Sequence, residues 1–175
     1  TNPTKAAKNV TRRKGNNVRF GLVDNILELK RGERIVAVKA ISLAEEYLAD
    51  HFPTFPVLPG VFILQGLVEA ATWLAHDALD FAPVVILLKE AKNVTYKSFV
   101  KPGNLLRLEV ACRRMAPEGS EFDGTGFCGQ AEMVRARFSL AHHALDQDHR
   151  FAAAVTPVRM AERKARFAQL RQNAA

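Results

Sequence analysis

The chain has 175 residues, 48% of them hydrophobic, with 25 Lys/Arg against 18 Asp/Glu for a net charge of +7, enough for one domain with a core and flanking extensions. Residues 1–23 carry six cations and no acid and residues 147–175 carry six against two, which leaves the central residues 24–146 at −3. That balance excludes a basic nucleic-acid-binding body despite a pI near 9.7, and Cys112 and Cys128 offer neither metal-ligand spacing nor a disulfide framework.

In chain order, residues 1–17 read as a flexible basic tail, residues 18–146 as the folded domain and residues 147–175 as a basic helical extension. No secretory h-region is visible, so the expected location is the cytoplasm, or an organelle matrix if the acid-free start is the remnant of a transit sequence. Phe20 to Val23 opens structure as a short strand or turn leading to Asp24. Glu33 to Ser42 puts Ile35, Ala37, Lys39 and Ile41 on one side and Val36, Val38 and Ala40 on the other, the pattern of a strand covered on both or nearly both faces. Residues 43–50 suit a short helical turn.

Pro59-Gly60 then starts a helix, because proline has the first-turn torsion pre-set and glycine lets another group approach the backbone. From Val61 to Leu74 it is apolar on every side, interrupted by Gln65 and Glu69. A helix of that kind must be wrapped, and protein wraps it rather than lipid, since no apolar run approaches the roughly 18 to 20 residues of a membrane span. Four strands follow: Val84 to Tyr96, Leu105 to Met115 after the Lys101-Pro102-Gly103-Asn104 turn, Phe122 to Phe127 with Gly124 and Gly126 as weak points, and Ala131 to His142. Pro117 to Ser120 breaks the chain between two of them. The succession predicts an α+β domain, a curved antiparallel sheet wrapped around one long central helix, with a weakly amphipathic helix at 157–170. Trp73 and Tyr96 read as packing residues, and His76, His142, His143 and His149, which lack partner spacing, as surface residues.

His51-Phe52-Pro53, then Pro56-Val57-Leu58-Pro59-Gly60-Val61, then polar residues five and nine positions after Gly60, make a specific pattern. On it the chain resembles the hot-dog-fold 3-hydroxyacyl-(acyl carrier protein) dehydratases of the FabZ/FabA type, and the similarity extends more loosely from Phe20 to about residue 142. The resemblance implies a homodimer joined edge to edge, with trimers of dimers in the FabZ-like branch, and two sites in which a His of one subunit faces a helix acid of the other. It further implies dehydration of (3R)-3-hydroxyacyl thioesters to trans-2-enoyl thioesters in fatty acid or related lipid biosynthesis, no metal or organic cofactor, and an acidic acyl carrier protein as partner, for which Lys97 and Lys101 are candidate docking cations. Arg12, Arg13 and Lys14 join them if the N-terminal tail folds back.

The residues fit that chemistry in part. Proton abstraction beside a thioester needs a base that is neutral near pH 7, and histidine, with an ordinary pKa of about 6.5, makes His51 the candidate. The Gly60 amide at a helix N-terminus is the candidate oxyanion donor. Val61, Phe52, Pro59 and Leu64 are its candidate substrate-binding neighbours, and Phe55, Leu58 and Phe62 can join Phe52 and Leu64 along an acyl tunnel. The family places its acid at position 65 and a Gln at 69, whereas this chain has Gln65 and Glu69, exchanged by one helical turn. An amide hydrogen-bonds but is no conventional acid, so Glu69 is the candidate proton donor, with Gln65 positioning the hydroxyl. Two alternatives stay open: an acyl-binding or partner subunit without activity of its own, which Gln65 suggests, and a hot-dog thioesterase, which the Pro-rich His turn argues against.

Overall fold

The computed structural model describes residues 21–82, 85–144 and 152–172. Six strands, β1 (Asn25–Lys30), β2 (Arg34–Ala40), β3 (Val85–Tyr96), β4 (Leu105–Ala116), β5 (Gly119–Cys128) and β6 (Ala131–His143), form one sheet in the order β1-β2-β4-β5-β6-β3. Every neighbouring pair is antiparallel. The helix α1 (Gly60–Ala78) lies in the hollow of this sheet and touches β2, β3, β4, β5 and β6, which is the hot-dog arrangement expected of a helix apolar on most sides. A second helix, α2 (Ala152–Gln172), packs against β1. None of the described helices is long and apolar enough to cross a membrane.

Sequence pattern and structure agree where a strand has covered faces. From Ile35 to Lys39 every residue of β2 is buried, and even Lys39 is retained there because its ammonium reaches Asp24 at 3.2 Å and Glu45 at 2.8 Å. Gly124 and Gly126, which weaken the strand pattern, sit on the inward face of β5 for a steric reason. A Cβ at Gly124 would stand 3.2 Å from the Leu67 methyls, and one at Gly126 would stand 3.5 Å from Ile63. The missing side chains let α1 settle close against the sheet.

Three expectations are corrected. The strand-or-turn reading of Phe20 to Val23 resolves against a strand, since Leu22 and Val23 are buried as an irregular lead-in, and the first strand is Asn25–Lys30, which on the sheet edge buries only Ile26 and so shows no alternation to read. Phe20 and Val84 lie outside the described residues, as do the 1–17 tail and His149. The break at Pro117 is a tight turn, with β5 already paired at Gly119. His76 and His142 belong to the interior, with exposures of 2% and 8%. His76 stacks on Phe81 with ring centroids 5.6 Å apart, and His142 Nε2 lies 2.8 Å from the Ser120 hydroxyl.

Candidate active site

The loop before α1 is held by its own backbone. Phe52 and Phe55 exchange amide-to-carbonyl bonds of 3.3 and 3.0 Å, and the Val57 amide donates to the His51 carbonyl at 2.9 Å. The His51 side chain closes the same turn, with Nδ1 2.9 Å from the Val57 carbonyl oxygen. A carbonyl can only accept, so Nδ1 carries a proton, and in the neutral ring Nε2 then keeps the free lone pair, the tautomer a general base requires. The imidazole stacks on Phe52 at a centroid distance of 4.5 Å, which fixes its plane.

This loop docks along the chain that follows β3. The Leu58 amide donates to the Val100 carbonyl at 2.8 Å, Phe55 meets Phe99 edge-on at 6.0 Å, and Lys101 Nζ stands 4.9 Å above the Phe55 ring. Tyr96 covers Gly60. A Cβ on Gly60 would lie 3.1 to 3.4 Å from three ring carbons of Tyr96, Cζ among them, so glycine at this position is what lets an aromatic ring rest on the helix start.

The start of α1 is chemically open. Pro59 is its N-cap, no side chain caps it and no acid occupies its first turn. The amides of Phe62 and Ile63 bond the Pro59 carbonyl, whereas those of Gly60 and Val61 find no carbonyl among the described residues. Such orphan amides, at the positive end of the helix dipole, attract an oxygen that bears developing negative charge. Val61 is 64% exposed, Gln65 one turn later is also exposed, and Phe52 is exposed beside the His51 turn, while Pro59 and Leu64 are half-buried.

Glu69 is turned to a different neighbour. Its Oε2 accepts the Leu22 amide at 2.7 Å, and Oε1 is 3.9 Å from where a Gly21 Cβ would be. Burial raises its pKa, against the lowering pull of the Leu22 amide, of Trp73 and of the Arg166 charge; the Trp73 indole nitrogen lies close by without completing a hydrogen bond. Lys97 is engaged with Glu132 at 3.1 Å. No cluster of three or more His, Cys, Asp or Glu arranged for a metal occurs among the described residues. The structure thus gathers His51, Phe52, Pro59, Gly60 and Val61 in one loop and helix start, and ties Glu69 to the N-terminal lead-in. By sequence Tyr96 is a packing residue, and its position five residues before the Lys101-Pro102-Gly103 turn gives no periodic signal of contact with Gly60.

A family model described as the FabA-like domain matches residues 16–137. The chain belongs to the FabA-like family. Within this family it is 41% identical over 125 residues to the 3-hydroxyacyl-(acyl-carrier-protein) dehydratase FabZ of Albidiferax ferrireducens, covering 70% of this chain and 83% of that one. It is 36% identical over 113 residues to the FabZ of Variovorax paradoxus, covering 63% of this chain and 75% of its relative. Among solved structures, the dehydratase heterocomplex ApeI:P from Xenorhabdus doucetiae shares the fold, with a TM-score of 0.57 at 13% identity over 77% of this chain and 88% of that one.

Proposed function

We propose that the protein dehydrates (3R)-3-hydroxyacyl thioesters carried on an acyl carrier protein, giving trans-2-enoyl thioesters in fatty acid or related lipid biosynthesis. The observation that carries this reading is the His51 tautomer: Nδ1 is committed to the Val57 carbonyl, which leaves Nε2 to take the α-proton in the loop that leads into the unpaired Gly60 amide. The thioester oxygen lies against Gly60, whose amide stabilises the enolate-like charge. The electrons of the broken Cα–H bond form the new double bond, the C3–O bond breaks, and the departing hydroxide takes a proton to leave as water.

Gln65 orients the 3-hydroxyl, and Glu69 stores the proton behind it, directly or through a water. Its raised pKa favours the protonated acid, and with Oε2 on the Leu22 amide Oε1 is the oxygen left to carry that proton. The family resemblance supports a homodimer in which His51 faces the helix of a second copy. Exposed Val61 and Gln65 on α1, and exposed Leu87 and Leu88 on the edge strand β3, are the surface such a copy would cover. Lys101, beside Phe55 of the His51 loop, and Lys97 are the contacts for an acidic carrier.

A second reading has a specific observation behind it. Gln65 cannot protonate a leaving group, and Glu69 is already bonded to Leu22, which is what a subunit that binds acyl groups for a different, acid-bearing chain would show. Incubation with a crotonyl or 3-hydroxybutyryl thioester, following enoyl absorbance and free thiol, separates the possibilities. Interconversion without thiol release supports dehydration, and Glu69→Gln then loses about a hundredfold if Glu69 is the donor. Absence of turnover supports the partner subunit, and thiol release alone a thioesterase.

A further inference from the structure

We propose that the Tyr96 hydroxyl is a second hydrogen-bond donor to the acyl thioester oxygen, acting beside the Gly60 amide. The inference rests on the dehydration reading for its consequence in catalysis, and on geometry for its placement. Cε1, Cδ1 and Cζ of Tyr96 are 3.1, 3.3 and 3.4 Å from the position of a Gly60 Cβ. One edge of the ring, running from Cδ1 through Cε1 to the Cζ that bears the hydroxyl, therefore lies over the residue whose amide is unpaired. The placement is held by more than one contact, because the Leu58 amide bond to Val100 and the Phe55–Phe99 pair tie the same loop to the same strand end. Loop and phenol cannot drift apart without breaking them.

The hydroxyl itself is idle. Tyr96 is 45% exposed, and its oxygen has no hydrogen-bond partner among the described residues. Tyr47, the other tyrosine, has interactions of its own, with its ring edge-on to Phe62. A phenol that only packed would contribute the same contact as phenylalanine. An oxygen acquiring negative charge is best served by two donors held in place before the reaction, since neither then reorganises as charge develops. Gly60 supplies one N–H, and Tyr96 supplies an O–H on the same side of the helix start. Burial raises the Tyr96 pKa above its ordinary value of 10, so the hydroxyl stays protonated and donates throughout the neutral range. No proton leaves Tyr96 in this role: it bonds the oxygen more strongly in the transition state than in the substrate and is unchanged afterwards.

Tyr96→Phe removes the oxygen and keeps the ring on Gly60. With 3-hydroxybutyryl pantetheine as probe we expect kcat to fall between about 10- and 100-fold, with KM within about twofold and an unchanged melting temperature. A second measurement uses the fact that the chain has two tyrosines. In protein labelled at tyrosine 13Cζ, saturating crotonyl pantetheine should move the Tyr96 resonance, identified by its loss in Tyr96→Phe, and leave Tyr47 in place. An unmoved Tyr96 signal once the backbone amide shifts have reached a plateau, or a Tyr96→Phe kcat within twofold of the parent, overturns the inference while dehydration stands. Absence of turnover in the parent chain with a moving Tyr96 signal has the opposite meaning: dehydration falls and the phenol remains a thioester contact.

Discussion

The two ends of α1 carry the same chemistry to opposite fates. Before its N-terminus His51 is half-buried, pinned through Nδ1 to the Val57 carbonyl, in the loop that leads to the Gly60 and Val61 amides, unpaired among the described residues, and to an exposed helix face. At its C-terminus His76 is 2% exposed, closed in by Phe81 and Trp73, with Phe167 of α2 6.0 Å from the Trp73 ring and 5.4 Å from that of Phe81. Burial first, and then the Arg163 and His142 charges, lower the His76 pKa to about 4. The comparison teaches that a histidine becomes a candidate base by keeping one nitrogen free and accessible. The same ring enclosed by aromatics becomes a neutral core residue whose Nδ1 has no partner among the described residues.

The open end can therefore be damaged without unfolding and the closed end cannot. His51→Ala should cost about 10³-fold or more in turnover of a 3-hydroxyacyl thioester, on the order of 4 kcal/mol in barrier, with an unchanged urea midpoint; a lost fold would place His51 among the structural residues. Phe167→Ala should instead destabilise by about 3 kcal/mol in urea unfolding, because it empties the space between Trp73 and Phe81, while the specific activity of the folded fraction is kept. An unaltered midpoint would show that α2 adds nothing to that end.

The pH dependence sharpens the contrast further. Because the folded pKa of His76 lies below its ordinary value of 6.5, the unfolded chain binds the proton more readily. Stability is then full above about pH 6.5 and declines as pH falls toward about 4, by up to about 3 kcal/mol. His142, whose pKa burial also lowers, adds in the same direction. Chemical denaturation at several pH values should show this slope, and His76→Phe, which keeps a ring on Phe81, should flatten most of it; an undiminished slope would move its origin elsewhere. The smallest effect belongs to Lys101→Glu at the mouth of the open end. It should raise KM several-fold for a carrier-linked substrate, less so at high salt, and leave the pantetheine thioester unaffected.

Much of this was legible in the sequence because the signals are local. The all-round apolar run of α1 required a wrapping sheet, the doubly apolar pattern of β2 required cover on both faces, and the His-Phe-Pro and Pro-Gly spacing marked the candidate base and the helix start. The edge strand β1 escaped notice because only Ile26 of its residues is buried. His76 was misread because its enclosure comes from Trp73 on its own helix together with Phe81 and the distant Phe167.

The sequence by itself determined the fold class and the loop from His51 to Gly60, since periodicity and turn chemistry act over a few residues, and the motif in that loop carried the resemblance to the family. Only the tertiary structure decided that Glu69 bonds the Leu22 amide rather than standing free, that His76 is sealed from water, and that Tyr96 lies on Gly60. Each of these joins segments well separated along the chain, and such contacts are chosen by how the sheet closes on the helix and by the approach glycine permits.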